Sequence, residues 1–178
     1  MSKMIVYGSK YGASMRYAEA LAEKTGIPCL DVRKVKTLEG CEAVVHIGGL
    51  YAGGVRGLSH TVKLLEKVPG VALTVITVGL ADPDDEDNRR SIRESVKKQI
   101  PEAVMKKTKL FHLRGGIDYS RLSMVHRTMM KLLYSQLKKI PPEERGADAR
   151  GLFETYGKKV DFVDLGRLEE IADNLGVG

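Results

Sequence analysis

The sequence predicts an α/β fold: a parallel sheet with helices on both faces. Three observations predict it. Short apolar stretches alternate with longer ones whose apolar residues recur at helical spacing. Ala43-Val44-Val45-His46-Ile47 is nearly continuously apolar, as a strand covered on both faces should be, and Val71–Val78 is the strongest strand of the chain. Several of these stretches run straight into glycine turns, at Gly8, Gly48-Gly49 and Gly79.

In chain order, Met4-Ile5-Val6-Tyr7 reads as the first strand. Met15, Ala18, Leu21 and Ala22 mark the first helix, ended by Gly26 and Pro28. Cys29–Val32 is the second strand and Ala43–Ile47 the third, leading into Gly48–Gly54. Leu58, Val62 and Leu65 mark a helix closed by Pro69-Gly70. Val71–Val78 is the fourth strand, and Gly79–Pro83 leaves it. Asp87 is the expected cap of a helix through Ile92 and Val96. Lys109–Leu113 is the fifth strand, ending at Gly115-Gly116. Leu122, Val125, Met129, Leu132, Leu133 and Leu137 then describe one apolar helical face, which Pro141-Pro142 stops. A polar stretch runs through Gly151. Leu165, Leu168, Ile171, Ala172 and Leu175 describe a closing helix, capped by Asp164. Crossovers between the strands should be right-handed.

The chain has 178 residues, 43% of them apolar and 29% charged, which suits one domain with a substantial core. No apolar run is long enough to span a bilayer, and the N-terminus enters a strand without a signal-peptide pattern, so a cytoplasmic location is expected. Cys29 and Cys41 lack disulfide-scaffold or metal-site spacing and read as reduced residues. The net charge of +6 favours acidic partners such as anionic lipid or an acidic protein. No dense basic block or nucleic-acid motif is present, so nucleic-acid binding is not expected. Asp82, Asp84, Asp85, Glu86 and Asp87 read as a solvated loop and a helix first turn rather than a metal site, because negative charge favours a helix N-terminus. His60, His112 and His126 have no metal-ligand spacing, and His46 reads as a core histidine satisfied locally.

The turn after the first strand, Ser9-Lys10-Tyr11-Gly12-Ala13-Ser14, joins a strand to a helix with small and hydroxyl residues. Such a turn offers backbone N–H groups, hydroxyl donors and the positive end of a helix dipole to phosphate. The alternative is an ordinary strand–helix turn with Ser14 as N-cap. A Walker loop and the dinucleotide glycine fingerprint are both missing, which argues against ATP, GTP and NAD. A receiver domain needs acidic residues where this chain has Gly8-Ser9 and Gly48-Gly49.

That loop resembles the phosphate loop of flavodoxin-like FMN domains, with Tyr11 where a small hydroxyl residue is usual. The resemblance implies a three-layer sandwich around a five-stranded parallel sheet of order 2-1-3-4-5. It implies FMN as cofactor, held by Ser9, Lys10, Tyr11, Gly12, Ala13 and Ser14 at the phosphate. Gly49, Leu50, Tyr51, Ala52 and Gly53, with Gly79, Leu80, Ala81 and Asp82, would hold the ring. Glycines would let backbone amides approach the ring edge, and Tyr51 offers a face for stacking.

Three stretches resemble the menaquinone-dependent protoporphyrinogen dehydrogenase branch: Val44–Gly53, Val78–Pro83, and Gly115–Arg121 followed by Met129–Leu132. That branch enlarges the region after strand five, here a basic helical insertion at about 120–163. The flavin would carry the redox chemistry, and no catalytic side chain or metal is needed. The resemblance thus implies an FMN-dependent oxidoreductase passing electrons from a reduced substrate to a quinone or protein acceptor. The alternatives are a basic flavodoxin that only carries electrons and a scaffold that has lost FMN. Arg121–Lys139 is open to three readings: core packing, docking of an acidic redox partner, or peripheral contact with an anionic membrane at its cytoplasmic face.

Overall fold

A computed structural model describes residues 2–51 and 54–176. Five parallel strands form the main sheet: β1 (Ser2–Gly8), β2 (Cys29–Asp31), β3 (Cys41–Tyr51), β5 (Ala72–Gly79) and β6 (Lys109–Arg114). Their order is β2-β1-β3-β5-β6, which is the expected 2-1-3-4-5 counted over parallel strands alone. The short strand β4 (Gly54–Val55) folds back antiparallel onto the end of β3, pairing Leu50 with Val55.

Successive residues of a strand point to opposite faces, and each face here has its own core. Val6, Val44 and Val75 face α2 (Leu58–Leu65) and α3 (Glu86–Lys97), meeting Leu58, Val62, Ile92 and Val96. Ile5, Val45 and Ile76 face the other way, onto Tyr17, Leu21, Leu168 and Ile171 of α1 (Ala13–Thr25) and α7 (Leu168–Asn174). Each such side chain, fully buried, contributes about 1.5–3 kcal/mol. That is why the middles of β1, β3 and β5 are mostly apolar, with His46, Thr74 and Thr77 as buried polar exceptions.

His46 lies within this core. Its Nε2–H donates to the Arg56 carbonyl at 3.0 Å, and its Nδ1 accepts from the Thr61 hydroxyl at 2.9 Å. Burial pushes its pKa down to about 4, so the ring is neutral, as this pair of partners requires.

Several elements differ from the sequence expectation. The cap of α3 is Asp85, not Asp87: its side chain accepts from Asn88 N at 2.9 Å. Both carboxylates precede the same apolar stripe, and only the turn geometry puts Asp85 at the extended residue. Asp164 caps a 3-10 turn, Leu165–Arg167, that leads into α7. The single turn α4 (Glu102–Met105) was not foreseen.

The segment after β6 is richer than a helix and a polar stretch. β7 (Gly116–Asp118) pairs antiparallel with β8 (Lys159–Asp161), and α5 (Met124–Leu137) and α6 (Ala147–Thr155) lie between them. α6 buries Ala147, Ala149, Gly151, Leu152 and Thr155, residues too small and polar to register as an apolar stripe. Phe162 N donates to Gly115 O at 3.0 Å, which ties the segment back to the end of β6.

The predicted apolar face of α5 is not its packed face. Met124 is 84% exposed, Val125 67% and Leu132 60%, while His126 is buried. Met130, Tyr134 and Leu137 continue the His126 stripe at partial burial. Tyr134 stacks on Tyr156, ring centroids 4.0 Å apart, and meets Phe153 of α6. Aromatic packing against α6, not aliphatic content, sets the rotation of this helix.

Candidate functional site

The chain leaves β1 toward β2 on one side and returns to β3 on the other. The crevice between the carboxyl ends of β1 and β3 is the switch in strand order where open α/β sheets bind ligands. A cavity of about 190 Å³ lies there.

The turn from Gly8 to α1 forms one end of the cavity. A side-chain carbon at Gly8 would stand 2.2 Å from the Arg56 carbonyl oxygen, so only glycine lets the Arg56 backbone cross here. Gly12, with φ at 102°, begins α1 in a conformation that disfavours other residues. Ser14 is not the N-cap. It sits one turn position inside the helix, buried, with Oγ facing Gly49. No side chain caps α1, and its first turn has no acidic residue. Gly12 N donates to Ser9 Oγ at 3.1 Å. The next amides have no partner within the helix, and the positive end of the helix dipole lies at this turn.

Much of the rest of the cavity is apolar, with Arg56 and His126 also on its wall. Leu50 and Tyr51 close it from β3, Gly79 and Leu80 from the end of β5 and the turn after it, and Leu122, Met129 and Met130 from α5 and the residues just before it. An anion-binding end joined to a flat apolar slot fits a phosphorylated planar ring. The residues present therefore suit FMN on their own geometry.

Of the residues singled out from the sequence, Ser9, Lys10, Tyr11, Ala13, Ser14, Gly49, Leu50, Tyr51, Gly79 and Leu80 are brought together around this cavity. Gly12 shapes the helix start beside it. Ala81 instead lines a neighbouring cavity of about 170 Å³, which shares Leu50, Gly79, Leu80 and Met130 with the first. Asp82 is turned to the α3 cap: its Oδ1 accepts from Asp84 N and its carbonyl from Asn88 Nδ2. Ala52 and Gly53 lie outside the described residues.

Sequence reasoning missed Arg56, Ile117 and His126, which also line the cavity. Arg56 follows the expected ring loop directly. Gly115-Gly116, read as a strand end and as part of the Gly115–Arg121 resemblance but not as site residues, reach the cavity too, and Gly115 N donates to Gly79 O at 2.7 Å. His126 carried no signal at all, since its role depends on how α5 is rotated. Its ring lies between Tyr11 and Tyr51, with centroids 5.7 and 4.9 Å away. Tyr51 OH donates to Met129 Sδ at 3.4 Å. His112, on the wall of the second cavity, has its Nδ1 2.7 Å from Thr77 Oγ1, and burial pushes its pKa down to about 4.

The family model described as a flavodoxin domain matches residues 4–143. The chain belongs to that family. No curated protein sequence matches it. Among solved structures, a flavodoxin variant from Pseudomonas aeruginosa is 15% identical with a TM-score of 0.44, over 78% of this chain and 97% of that one. A flavodoxin variant from Fusobacterium nucleatum, bound to flavin mononucleotide, is 15% identical with a TM-score of 0.40, over 67% of this chain and 71% of that one. The flavodiiron protein from Giardia intestinalis is 15% identical with a TM-score of 0.36, over 62% of this chain and 30% of that one.

Proposed function

We propose that this protein is an FMN-dependent oxidoreductase, passing electrons between a reduced organic substrate and a quinone or protein acceptor. One observation carries the FMN reading: the uncapped start of α1 opens onto an apolar slot at the β1/β3 switch point. FMN supplies the redox chemistry when bound. The amides that open α1, with Ser9 and Ser14, would hold its phosphate. Tyr51, Leu50, Leu80 and Met130 would flank the ring and keep water from it.

The second cavity, sharing a wall with the first, supports room for a small organic substrate beside the ring. Protoporphyrinogen is the specific candidate, supported by the three sequence stretches that resemble its dehydrogenases. A second reading, an electron carrier alone, is favoured by the exposed outer face of α5. Met124, Val125, Leu132 and Leu133 stand there among Arg127, Lys131 and Lys138, a surface suited to an acidic redox partner. The same face supports peripheral contact with an anionic membrane on its cytoplasmic side. Among the described residues no helix is long and apolar enough to cross a membrane.

The test begins with the visible spectrum of protein purified without added cofactor. Flavin absorbance, with FMN released on heating, is expected; correctly folded protein without affinity for FMN ends the proposal. Quinone reduction driven by protoporphyrinogen is then the expected turnover. Its absence, alongside reversible reduction by a redox protein, selects the carrier. Sedimentation with anionic vesicles that is lost in high salt would support the membrane contact.

A further inference from the structure

We propose that Lys10, Tyr11 and His126 form a proton-linked clamp on the flavin phosphate, in which His126 takes up a proton from solvent as FMN binds. The inference rests on the FMN reading and adds a residue from α5 to the phosphate site.

The geometry assigns every hydrogen. Lys10 Nζ stands 3.0 Å from His126 Nε2, and Tyr11 OH is hydrogen-bonded to His126 Nδ1. An ammonium only donates, so Nε2 accepts and the ring is neutral with its hydrogen on Nδ1. Nδ1–H therefore donates to the Tyr11 oxygen, which leaves the phenol hydrogen free for another acceptor. Lys10 keeps two further hydrogens. Both groups line the cavity beside Ser9 and Ser14, where a phosphate would arrive.

The surroundings lack a counter-charge. Facing His126 are Lys10 and Tyr11 from the phosphate turn, Tyr51 from the end of β3, and Arg56 from the turn before α2. Among the described residues none of the ion pairs includes Lys10, Arg56 or His126. Burial first, then the charges of Lys10 and Arg56, hold the His126 pKa below its ordinary value. A phosphate dianion reverses that balance. Lys10 turns its ammonium to the phosphate, Nε2 is freed, and the negative charge favours imidazolium. Protonated His126 still donates from Nδ1 to Tyr11, and Tyr11 donates to the phosphate. This gives a use for Tyr11 at a position where small hydroxyl residues are usual: its longer side chain carries the hydroxyl to His126.

The test is calorimetric titration of apoprotein with FMN and with riboflavin, at pH 7.5, in two buffers of different ionisation enthalpy. Wild type should take up a fraction of a proton with FMN and none with riboflavin. His126→Gln should lose that uptake and bind FMN about tenfold more weakly at pH 6.5, with a smaller loss at pH 8.5 and riboflavin affinity unchanged. Tyr11→Phe keeps the ring and should also weaken FMN alone, which covers the case of a poorly folded His126 variant. FMN affinity within twofold of wild type in both variants, or unchanged proton uptake in His126→Gln, overturns the clamp. Wild type that binds neither flavin would instead overturn the FMN reading beneath it.

Discussion

α1 and α3 both start beyond the carboxyl edge of the same sheet, and they are finished in opposite ways. α3 begins at Asp85, whose carboxylate accepts from Asn88 N, and Glu86 and Asp87 add negative charge in the first turn. α1 begins at Gly12 with no side-chain cap and no acidic residue. One helix start is satisfied by its own chain; the other has no side-chain cap, which is what the proposed phosphate site uses. α2 shows that a glycine start alone does not make an anion site. It also begins at a left-handed glycine, Gly57, but a side-chain carbon there would meet Val32 at 2.8 Å, so that corner is apolar and filled. Three features together support the proposed site at α1: an uncapped start, hydroxyls at the turn and an adjoining cavity.

The sharpest way to break this contrast is to finish α1 like α3. Ser9→Asp places a carboxylate where Ser9 Oγ already accepts from Gly12 N. FMN affinity should fall by on the order of 100-fold or more, because the carboxylate takes the donors and repels phosphate. Riboflavin binding should change far less, and fluorescence titration with both flavins checks it.

The converse change strips α3 of its cap. Asp85→Ala also breaks the 2.6 Å contact with Arg150 of α6. The melting temperature should drop by about 2–4 °C, the loss typical of a helix cap in a domain of this size, with FMN affinity unchanged. Thermal melts with and without FMN measure both.

Acid should separate the two helices without mutation. The Asp85 carboxyl is held below its ordinary 3.8, first by the Asn88 N–H and then by the Arg150 guanidinium. A depressed carboxylate stabilises the fold above its unfolded value, and that contribution is lost as pH falls through the folded one. As the pH falls below about 4, amide exchange should rise over residues 86–89 more than over 13–16, since the start of α1 has no carboxylate cap to lose. Hydrogen exchange read by mass spectrometry tests this. The smallest effect belongs to Asp87→Asn, which removes only an exposed first-turn charge and its 3.3 Å pairing with Arg90. The melting temperature should move by less than about 2 °C.

The sequence alone determined much of this protein. Mostly apolar runs at Val44–Ile47 and Leu73–Val78, without regular polar alternation, pointed to strands buried on both faces, because a strand with one face in water alternates. Hydroxyls and Gly12 after β1 marked the turn that lies beside the cavity, since a tight turn onto a helix constrains which residues it can hold. The tertiary structure decided what depends on neighbours. Asp85 rather than Asp87 became the cap because an extended backbone at that residue points its carboxylate at Asn88 N. α5 turned His126, Met130 and Tyr134 inward, leaving Val125 and Leu132 in solvent, because Phe153 of α6 and Tyr156 just past its end supplied the surface it packs on. A helix's periodicity tells which residues share a face; which face is covered is set by what the rest of the chain puts beside it. That choice carries His126 more than a hundred residues along the chain to Lys10 and Tyr11.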